Sequence, residues 1–255
     1  VYLAGKNKTG NKYRKVYRSP NGLIRGLAVF QNASQDKSLK NEPLILVIAD
    51  STGIAFGPYK DGQPNGPFRQ IPIEQLKAID LRYSRAHGLL LAAGSKTQGT
   101  TLWTLGVDPR VVFAHRSGSI NTVTFSHDGS LLADGAEDGT VQIWSTLSAV
   151  KLATLQEGRS AIQDLAFTSE GDMLAAIDSE GTVRVWDTSS FKLLHTIQSD
   201  AGSHGKLAIN AETFKESDSF YLLTVGEKSI VQVWQIPRKP IASTGRSIAL
   251  LIGNN

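Results

Sequence analysis

The sequence predicts an all-β fold made of repeated four-stranded units, and its four tryptophans provide the first observation. Each Trp ends a strand-like segment, and the intervals between successive Trp are 41, 42 and 48 residues. The segments read Gly99-Thr-Thr-Leu-Trp103, Gly139-Thr-Val-Gln-Ile-Trp144, Gly181-Thr-Val-Arg-Val-Trp186 and Ser229-Ile-Val-Gln-Val-Trp234. A strand that follows a Gly-Thr turn and repeats every 40–45 residues or so is typical of a β-propeller blade.

The internal spacing of two of these units is the second observation. Phe125 and Phe167 each lie 19 residues before the Trp that ends their unit. Ile120-Asn-Thr-Val-Thr-Phe125 has the polarity pattern of a half-buried strand. The chain also has 24 glycines, which a fold with many tight turns requires. These features predict a β-propeller of four-stranded antiparallel blades.

We expect a single propeller over residues 1–255. The predicted blades span about 17–68, 69–113, 114–155, 156–197 and 198–238. An apolar strand within 239–255 could pair with the strands of 1–16 to form a composite closing blade. That closure gives six blades, whereas a ring of seven would need sequence outside this segment.

Composition limits the classes of function. Cysteine is absent, which excludes disulfides, thiolate nucleophiles and Cys-ligated zinc and favours an intracellular setting. No apolar run approaches the roughly 20 residues of a membrane span, and the net charge of +4 does not by itself indicate nucleic-acid binding. Because the chain begins at Val1 with neither an initiator Met nor a signal peptide, we expect a cytoplasmic segment of a longer protein.

The sequence gives no support for an enzyme, a metal site or a bound cofactor. The histidines lack the spacing of a helical zinc site and stand at His87, His115, His127, His195 and His204. Four carboxylates crowd one blade, namely Asp128, Asp134, Glu137 and Asp138. A propeller glycosidase would take its two carboxylates from different blades, so turn formation is the preferred interpretation of these acids.

Three segments outside the repeat pattern could contact partners. The run 6–18 holds six Lys or Arg and no acid. It could bind nucleic acid, although a solvated hairpin whose Lys residues prevent edge pairing is the preferred interpretation. Insertions at 31–43 and 59–67 should fall on the rims of the propeller, either as interaction loops or as tolerated insertions.

The loops at one end of the blades provide the predicted binding surface. Loops that lead into inner strands and turns that join second to third strands should share one face. The candidates there are Lys96, Arg116, Glu137, Arg159, Glu180, His204 and Lys228. Because Arg binds carboxylates through two parallel hydrogen bonds, Arg116 and Arg159 would suit an acidic partner. Scattered surface charge is the alternative for each residue.

Residues 114–197 resemble the WD-repeat family through Ser126-His-Asp-Gly129, Gly139-Thr-Val-Gln-Ile-Trp144 and the pair Trp186-Asp187. The resemblance is weaker over 69–113 and 198–238. It implies a rigid, non-catalytic scaffold or sensor platform that binds protein partners or a neighbouring domain of its own chain.

The same resemblance implies a structural hydrogen-bond network of His, Ser or Thr, Asp and Trp within a blade. His115, Asp138 and Trp144 match three of its positions, and the Ser/Thr position has no clear match. The other tryptophans, Trp103, Trp186 and Trp234, would also be structural. In the last two units Glu180 and Lys228 replace the Asp, so packing should hold those blades together.

The stretch 247–255 is similar to the first core strand of caspase-like peptidases, an apolar run that ends in Gly-Asn. This similarity implies an alternative function, the regulatory propeller of a multidomain enzyme whose catalytic residues lie outside this segment. WD repeats also end some signalling NTPases, but the phosphate-binding Gly-rich loop of an NTPase is absent from this sequence. A buried closing strand is the simpler interpretation of 247–255.

Overall fold

The computed structural model describes residues 3–6, 12–15, 24–30, 44–50, 52–60, 63–64, 66–105, 109–115, 118–209, 219–226, 231–238 and 249–251. Within these residues all regular structure is β-strand, apart from one short 3-10 turn at Gly202–His204. The chain consists of two compact units, Val1–Lys77 and Ala78–Asn255.

The first unit contains a hairpin and a five-stranded antiparallel sheet. The hairpin pairs β1 (Leu3–Lys6) with β2 (Lys12–Lys15), and the sheet contains β3 (Ile24–Phe30), β4 (Leu44–Asp50), β5 (Gly53–Lys60), β6 (Gln63–Pro64) and β7 (Arg69–Pro72). Gly53 has a φ of +146°, and a Cβ there would lie 2.2 Å from the carbonyl oxygen of Ile71. Glycine is therefore required where β5 begins to pair with β7.

The second unit, together with the first two residues of β8, contains four-stranded antiparallel sheets that are blades of a β-propeller. Blade I contains β8 (Leu76–Ser84), β9 (Gly88–Ser95), β10 (Gly99–Leu105) and β11 (Arg110–His115). Blade II contains β12 (Ile120–Phe125), β13 (Leu131–Ala136), β14 (Val141–Ser145) and β15 (Val150–Leu155). Blade III contains β16 (Ile162–Phe167), β17 (Met173–Asp178), β18 (Thr182–Asp187) and β19 (Leu193–Gln198). Blade IV contains β20 (Lys206–Ile209), β21 (Ser219–Val225), β22 (Val231–Pro237) and β23 (Ala249–Leu251).

The second strand of a blade is covered on both faces, and β17 illustrates the reason for its composition. Every residue of β17 is buried, whereas the outer strands β15 and β19 expose four and three of their six residues. Leu174 and Ala176 pack with residues of blade II, and the alternating residues Ala175 and Ile177 pack with residues of blade IV. A strand buried on both faces has a continuous apolar sequence rather than an alternating one.

Glycine and isoleucine are complementary where blades meet. A Cβ on Gly135 of β13 would lie 2.5 Å from Cγ2 of Ile162, the first residue of the next blade's inner strand. Between blades III and IV the order is reversed: the isoleucine, Ile177, is in the second strand of blade III, and the glycine, Gly205, precedes blade IV. A Cβ on Gly205 would lie 2.7 Å from Cδ1 of Ile177. In both cases one partner has no side chain, so consecutive blades can approach closely.

All four tryptophans are buried in third strands, with exposures of 2% to 7%. In blades I, II and III the pairing of the third strand with the outer strand shifts by one residue at Trp103, Trp144 and Trp186. A bulge of this kind bends the outer strand and hinders pairing with the edge of another sheet.

The C-terminal strand β23 is the outer strand of blade IV. It pairs with β22, and β1 pairs with β2. A composite closing blade from 1–16 and 239–255, and with it a ring of six blades, stays a prediction.

Candidate interaction rim and interblade network

Turns and loops lie at one end of the second unit, and we call this set of residues the rim; backbone contacts join several of them. The rim comprises 96–98, 118–119, 137–140, 156–161, 179–181, 199–205 and Gly226. Glu137 N donates to Ser119 O at 2.9 Å, and Ser179 N donates to Ala161 O at 2.8 Å. The turn after the second strand is thus fixed to the loop that precedes its blade.

Two turn glycines let the rim loops pack closely. Gly139 and Gly181 have φ angles of +85° and +80°, a region that glycine adopts without strain. A Cβ on Gly139 would lie 2.9 Å from backbone atoms of Gly158 and Arg159, and one on Gly181 would lie 2.7 Å from Ser199 O. The Gly-Thr turns of the sequence therefore also fix each turn to the loop that follows its blade.

Carboxylates stabilise the same turns from within. In blade II, Asp138 Oδ1 accepts hydrogen bonds from Thr140 N at 3.0 Å and from Thr140 Oγ1 at 2.7 Å. In blade III, the buried Asp178 accepts a hydrogen bond from Glu180 N at 3.0 Å, and its second oxygen accepts one from Arg184 Nη1 at 2.7 Å. The backbone that presents the rim side chains is consequently well fixed.

The structure places five of the seven predicted rim residues at exposed positions. Lys96, Glu137 and Glu180 lie in turns after second strands, and Arg159 and His204 lie in loops between blades. The other two predicted residues, Arg116 and Lys228, lie outside the described residues. The exposed side chains are accessible to a partner, and their binding of one remains a prediction.

Three more exposed acids lie on the rim and were not among the predicted residues: Asp138, Glu157 and Asp200. Together with Glu137 and Glu180, they outnumber Lys96 and Arg159, the exposed Lys and Arg side chains of the described rim. Where the structure describes the rim, it is therefore acidic overall.

The acceptor for the Trp144 indole is Asp134 of the second strand, β13. Trp144 Nε1 donates to Asp134 Oδ2 at 2.7 Å, and Thr100 Oγ1 donates to the same oxygen at 2.9 Å. Asp138 is exposed and bonded within its own turn. Asp134 reaches the indole because a second-strand side chain faces the third strand directly. The membership of Asp138 in the implied network stays a prediction.

His115 contributes to this network by packing. Its ring lies 4.7 Å from the Trp144 ring, centroid to centroid, and Phe113 stacks on the same indole at 4.9 Å. Lys151 Nζ lies 5.9 Å from the indole centroid. Partial burial and the positive charge of Lys151 lower the pKa of His115. A structural position for His115 was predicted, but the structure adds that it joins two blades.

In blades II, III and IV, the residue ten positions before the Trp differs, and the bonding of the indole N–H differs with it. Asp134 has this position in blade II, and Thr224 has it in blade IV, where its Oγ1 accepts from Trp234 Nε1 at 3.1 Å. In blade III the position is Ala176, and Trp186 Nε1 is buried without a hydrogen-bond partner among the described residues. The Ser/Thr position without a clear match in the sequence is thus filled by Asp134 and Thr224.

Two more carboxylates, both partly buried, connect the inner strands of consecutive blades, and the sequence analysis did not identify them. Asp80 of β8 accepts a hydrogen bond from Phe125 N at 2.8 Å, and Asp164 of β16 accepts one from Leu207 N at 3.0 Å. Burial raises the pKa of both carboxyl groups, although these hydrogen bonds act in the opposite direction. Their partners lie 45 and 43 residues away, so the sequence carries no local signal of the pairing.

The carboxylates that crowd blade II have two different roles. Asp128 Oδ1 accepts hydrogen bonds from Ser126 Oγ at 2.7 Å and Ser130 N at 3.0 Å, and Asp138 stabilises the next turn. The expected turn role thus applies to these two acids, whereas Asp134 is buried between blades.

In the part of the chain that the structure describes, no group of three or more His, Cys, Asp or Glu residues could hold a metal ion. None of the described helices has the length and apolarity needed to cross a membrane.

Comparison with protein families finds two matches to the WD domain, G-beta repeat, at 107–145 and 150–187. The first match covers β11 to β14 and the second covers β15 to β18. Each repeat therefore begins with the outer strand of one blade and ends with the third strand of the next, which joins neighbouring blades covalently. No curated protein matches the chain. The similarity of 247–255 to caspase-like peptidases gains no support from these comparisons.

Proposed function

We propose that this chain, which carries WD40 repeats, is a non-catalytic platform that binds a protein partner along the rim. Proteins generally use WD40 repeats as interaction or scaffold modules. The rim is the observation that supports this function most directly. Its turns and loops are fixed to each other, as between Ser179 and Ala161, while its charged side chains stay exposed. A surface that is ordered before binding loses little conformational entropy on binding.

The charges of the described rim point to a partner surface that carries basic side chains. Glu137 and Glu180 would face Lys or Arg of the partner, and Arg159 would pair with an acid. This inference differs from the acidic partner that the two arginines suggested, because five exposed carboxylates lie on the described rim. Exposed charge pairs are screened by salt, so association should slow and affinity should fall as ionic strength rises.

Affinity capture with residues 1–255 as bait tests this function, with Arg159→Glu as the rim variant and Lys192→Glu as its matched control. Both residues are exposed, and both substitutions change the charge by the same amount. Lys192 follows the turn between the third and outer strands of blade III, at the end of the blade away from the rim.

A protein retained by wild type and by Lys192→Glu but lost by Arg159→Glu supports binding at the rim. Equal retention by all three baits would dismiss the rim as the binding surface. Recovery of no protein by a folded bait would favour the alternative function, a propeller that holds a catalytic domain of its own chain.

We also propose that this platform is a scaffold or sensor within a larger intracellular protein. A sequence without cysteine is compatible with a reducing compartment. Sequencing the gene on both sides of the codons for 1–255 tests the remainder: coding sequence for a catalytic His and Cys after Asn255 would support the protease alternative.

A further inference from the structure

Asp134 lies where blades I and II meet, and side chains from both blades bond to the same oxygen. Asp134 is fully buried, with 0% of its surface exposed to solvent. Thr100 of β10 donates to Oδ2 at 2.9 Å from blade I, and Trp144 donates to it at 2.7 Å from blade II. The carboxyl group is therefore a link between two blades and not only a part of one.

A second contact between the same blades lies on the ring of Trp144. His115 and Phe113 of β11 pack on this indole, and His115 is the cross-strand neighbour of Thr100 in blade I. Thr100 and His115 thus hold the Trp144–Asp134 pair from two directions. A change in the charge of Asp134 acts at the centre of this arrangement.

The surroundings of Asp134 oppose a negative charge. Its Oδ1 is buried and has no hydrogen-bond partner among the described residues, so a carboxylate there loses hydration without full replacement. Among the charged groups around it, Lys151 favours the ionised form and Asp138 opposes it, while His115 is held toward its neutral form. Burial has the largest effect and raises the pKa of Asp134 to about 6.

We propose that Asp134 is a proton-responsive joint between blades I and II, tighter when the carboxyl group is neutral than when it is ionised. A neutral carboxyl group keeps both hydrogen bonds, because Oδ2 can accept them as a carbonyl oxygen, and it removes the buried charge. An uncharged joint would make this part of the propeller more stable in mildly acidic solution than at neutral pH.

The direction of the pH dependence follows from the two states. Folding raises the pKa of Asp134 from 3.8 to about 6, so the folded state binds the proton more tightly than the unfolded state. The stability from this group is fully present below the unfolded pKa and is lost as the pH rises through the folded value. The window for the effect is therefore about pH 4 to 6.

Thermal unfolding of the 1–255 protein between pH 4 and 7.5 tests the joint, with Asp134→Asn as the variant that mimics the neutral acid. We expect Asp134→Asn to melt above wild type at pH 7.5, with the difference shrinking as the pH falls from 6 to 4. The control is Asp128→Asn in the same blade. Burial alone would raise the pKa of Asp128, but hydrogen bonds from Ser130 and Ser126 outweigh it and lower the pKa. This control should melt below wild type at pH 7.5.

An Asp134→Asn variant that is destabilised equally at pH 4 and pH 7.5 would overturn the proposal, because Asp134 would then act only as a hydrogen-bond acceptor. If that variant does not fold, the wild-type protein gives the answer. The Trp144 indole N–H resonance should shift with a midpoint near pH 6, since its acceptor titrates there. An indole resonance that is constant from pH 5 to 7.5 would also overturn the proposal.

Discussion

Blades II and III each take their first three strands from one of the two matched repeats, yet different interactions hold these blades together. In blade II, Trp144 is bonded to the buried Asp134, which also accepts a hydrogen bond from blade I. In blade III, Ala176 takes the place of Asp134, and the N–H of Trp186 has no partner among the described residues. One repeat thus uses a polar network between blades, and the next lacks it.

Blade III relies on packing and on an ion pair at its rim. Its second strand is buried throughout, and alternating residues contact blades II and IV. Arg184 pairs with Asp178 at 2.7 Å, with side-chain exposures of 15% and 1%. The comparison teaches that the repeat pattern specifies where the aromatic residue and the turn lie, whereas the interactions that stabilise each blade vary with its neighbours.

Removal of the Trp144 side chain should have the largest effect. Trp144→Ala would leave a cavity under Phe113 and His115 and would take one donor from Asp134. We expect a loss of about 3–5 kcal/mol in the free energy of unfolding, measured by chemical denaturation. The control is Leu147→Ala, which truncates a side chain on a residue that is 68% exposed and should change stability by no more than about 0.5 kcal/mol. Similar losses for the two variants would contradict the buried position of Trp144.

Replacement of each Trp by Phe sharpens the comparison between the two blades. Trp144→Phe and Trp186→Phe remove similar volumes from buried sites, but Trp144→Phe alone breaks a hydrogen bond to a buried carboxyl group. We therefore expect Trp144→Phe to be the more destabilising by about 1–3 kcal/mol at pH 7.5. Equal losses in parallel denaturation experiments would mean that the hydrogen bond to Asp134 contributes nothing net.

The sequence predicted the repeated framework well because that framework depends on local spacing. The Trp intervals and the Gly-Thr turns identified the third strands, and the equal spacing of Phe125 and Phe167 identified two inner strands. The positions of Glu137 and Glu180 in exposed turns followed from the same pattern. Each of these features is set by residues within one repeat, so a single sequence reveals them.

Contacts between blades could not be predicted in the same way. Asp134 bonds to Thr100, 34 residues earlier, and Asp164 bonds to Leu207, 43 residues later. Such pairs depend on the register and the direction of side chains in two separate sheets, which no local pattern encodes. The family position pointed to Asp138, which is bonded within its own turn, and gave no indication that Asp134 accepts a hydrogen bond from Trp144.

The smallest expected effect is a gain in stability from restoring the missing acceptor in blade III. Thr224 of blade IV accepts the Trp234 N–H at 3.1 Å from the position that Ala176 occupies in blade III. Ala176→Ser should bring a hydroxyl oxygen to the unbonded N–H of Trp186. We expect a gain of about 0.5–1.5 kcal/mol in the free energy of unfolding, measured by denaturation at pH 7.5.

The control for this gain is Ala175→Ser, which adds the same hydroxyl group to the next residue of β17. Ala175 faces blade IV, where the Trp234 N–H is already bonded to Thr224. The added hydroxyl should therefore be buried without a partner and should cost about 1–3 kcal/mol. Opposite signs for the two serine variants would show that blade III lacks only an acceptor to match blade II. A loss in both would mean that close packing around β17 outweighs the hydrogen bond, and that blade III is stable because its core excludes polar groups.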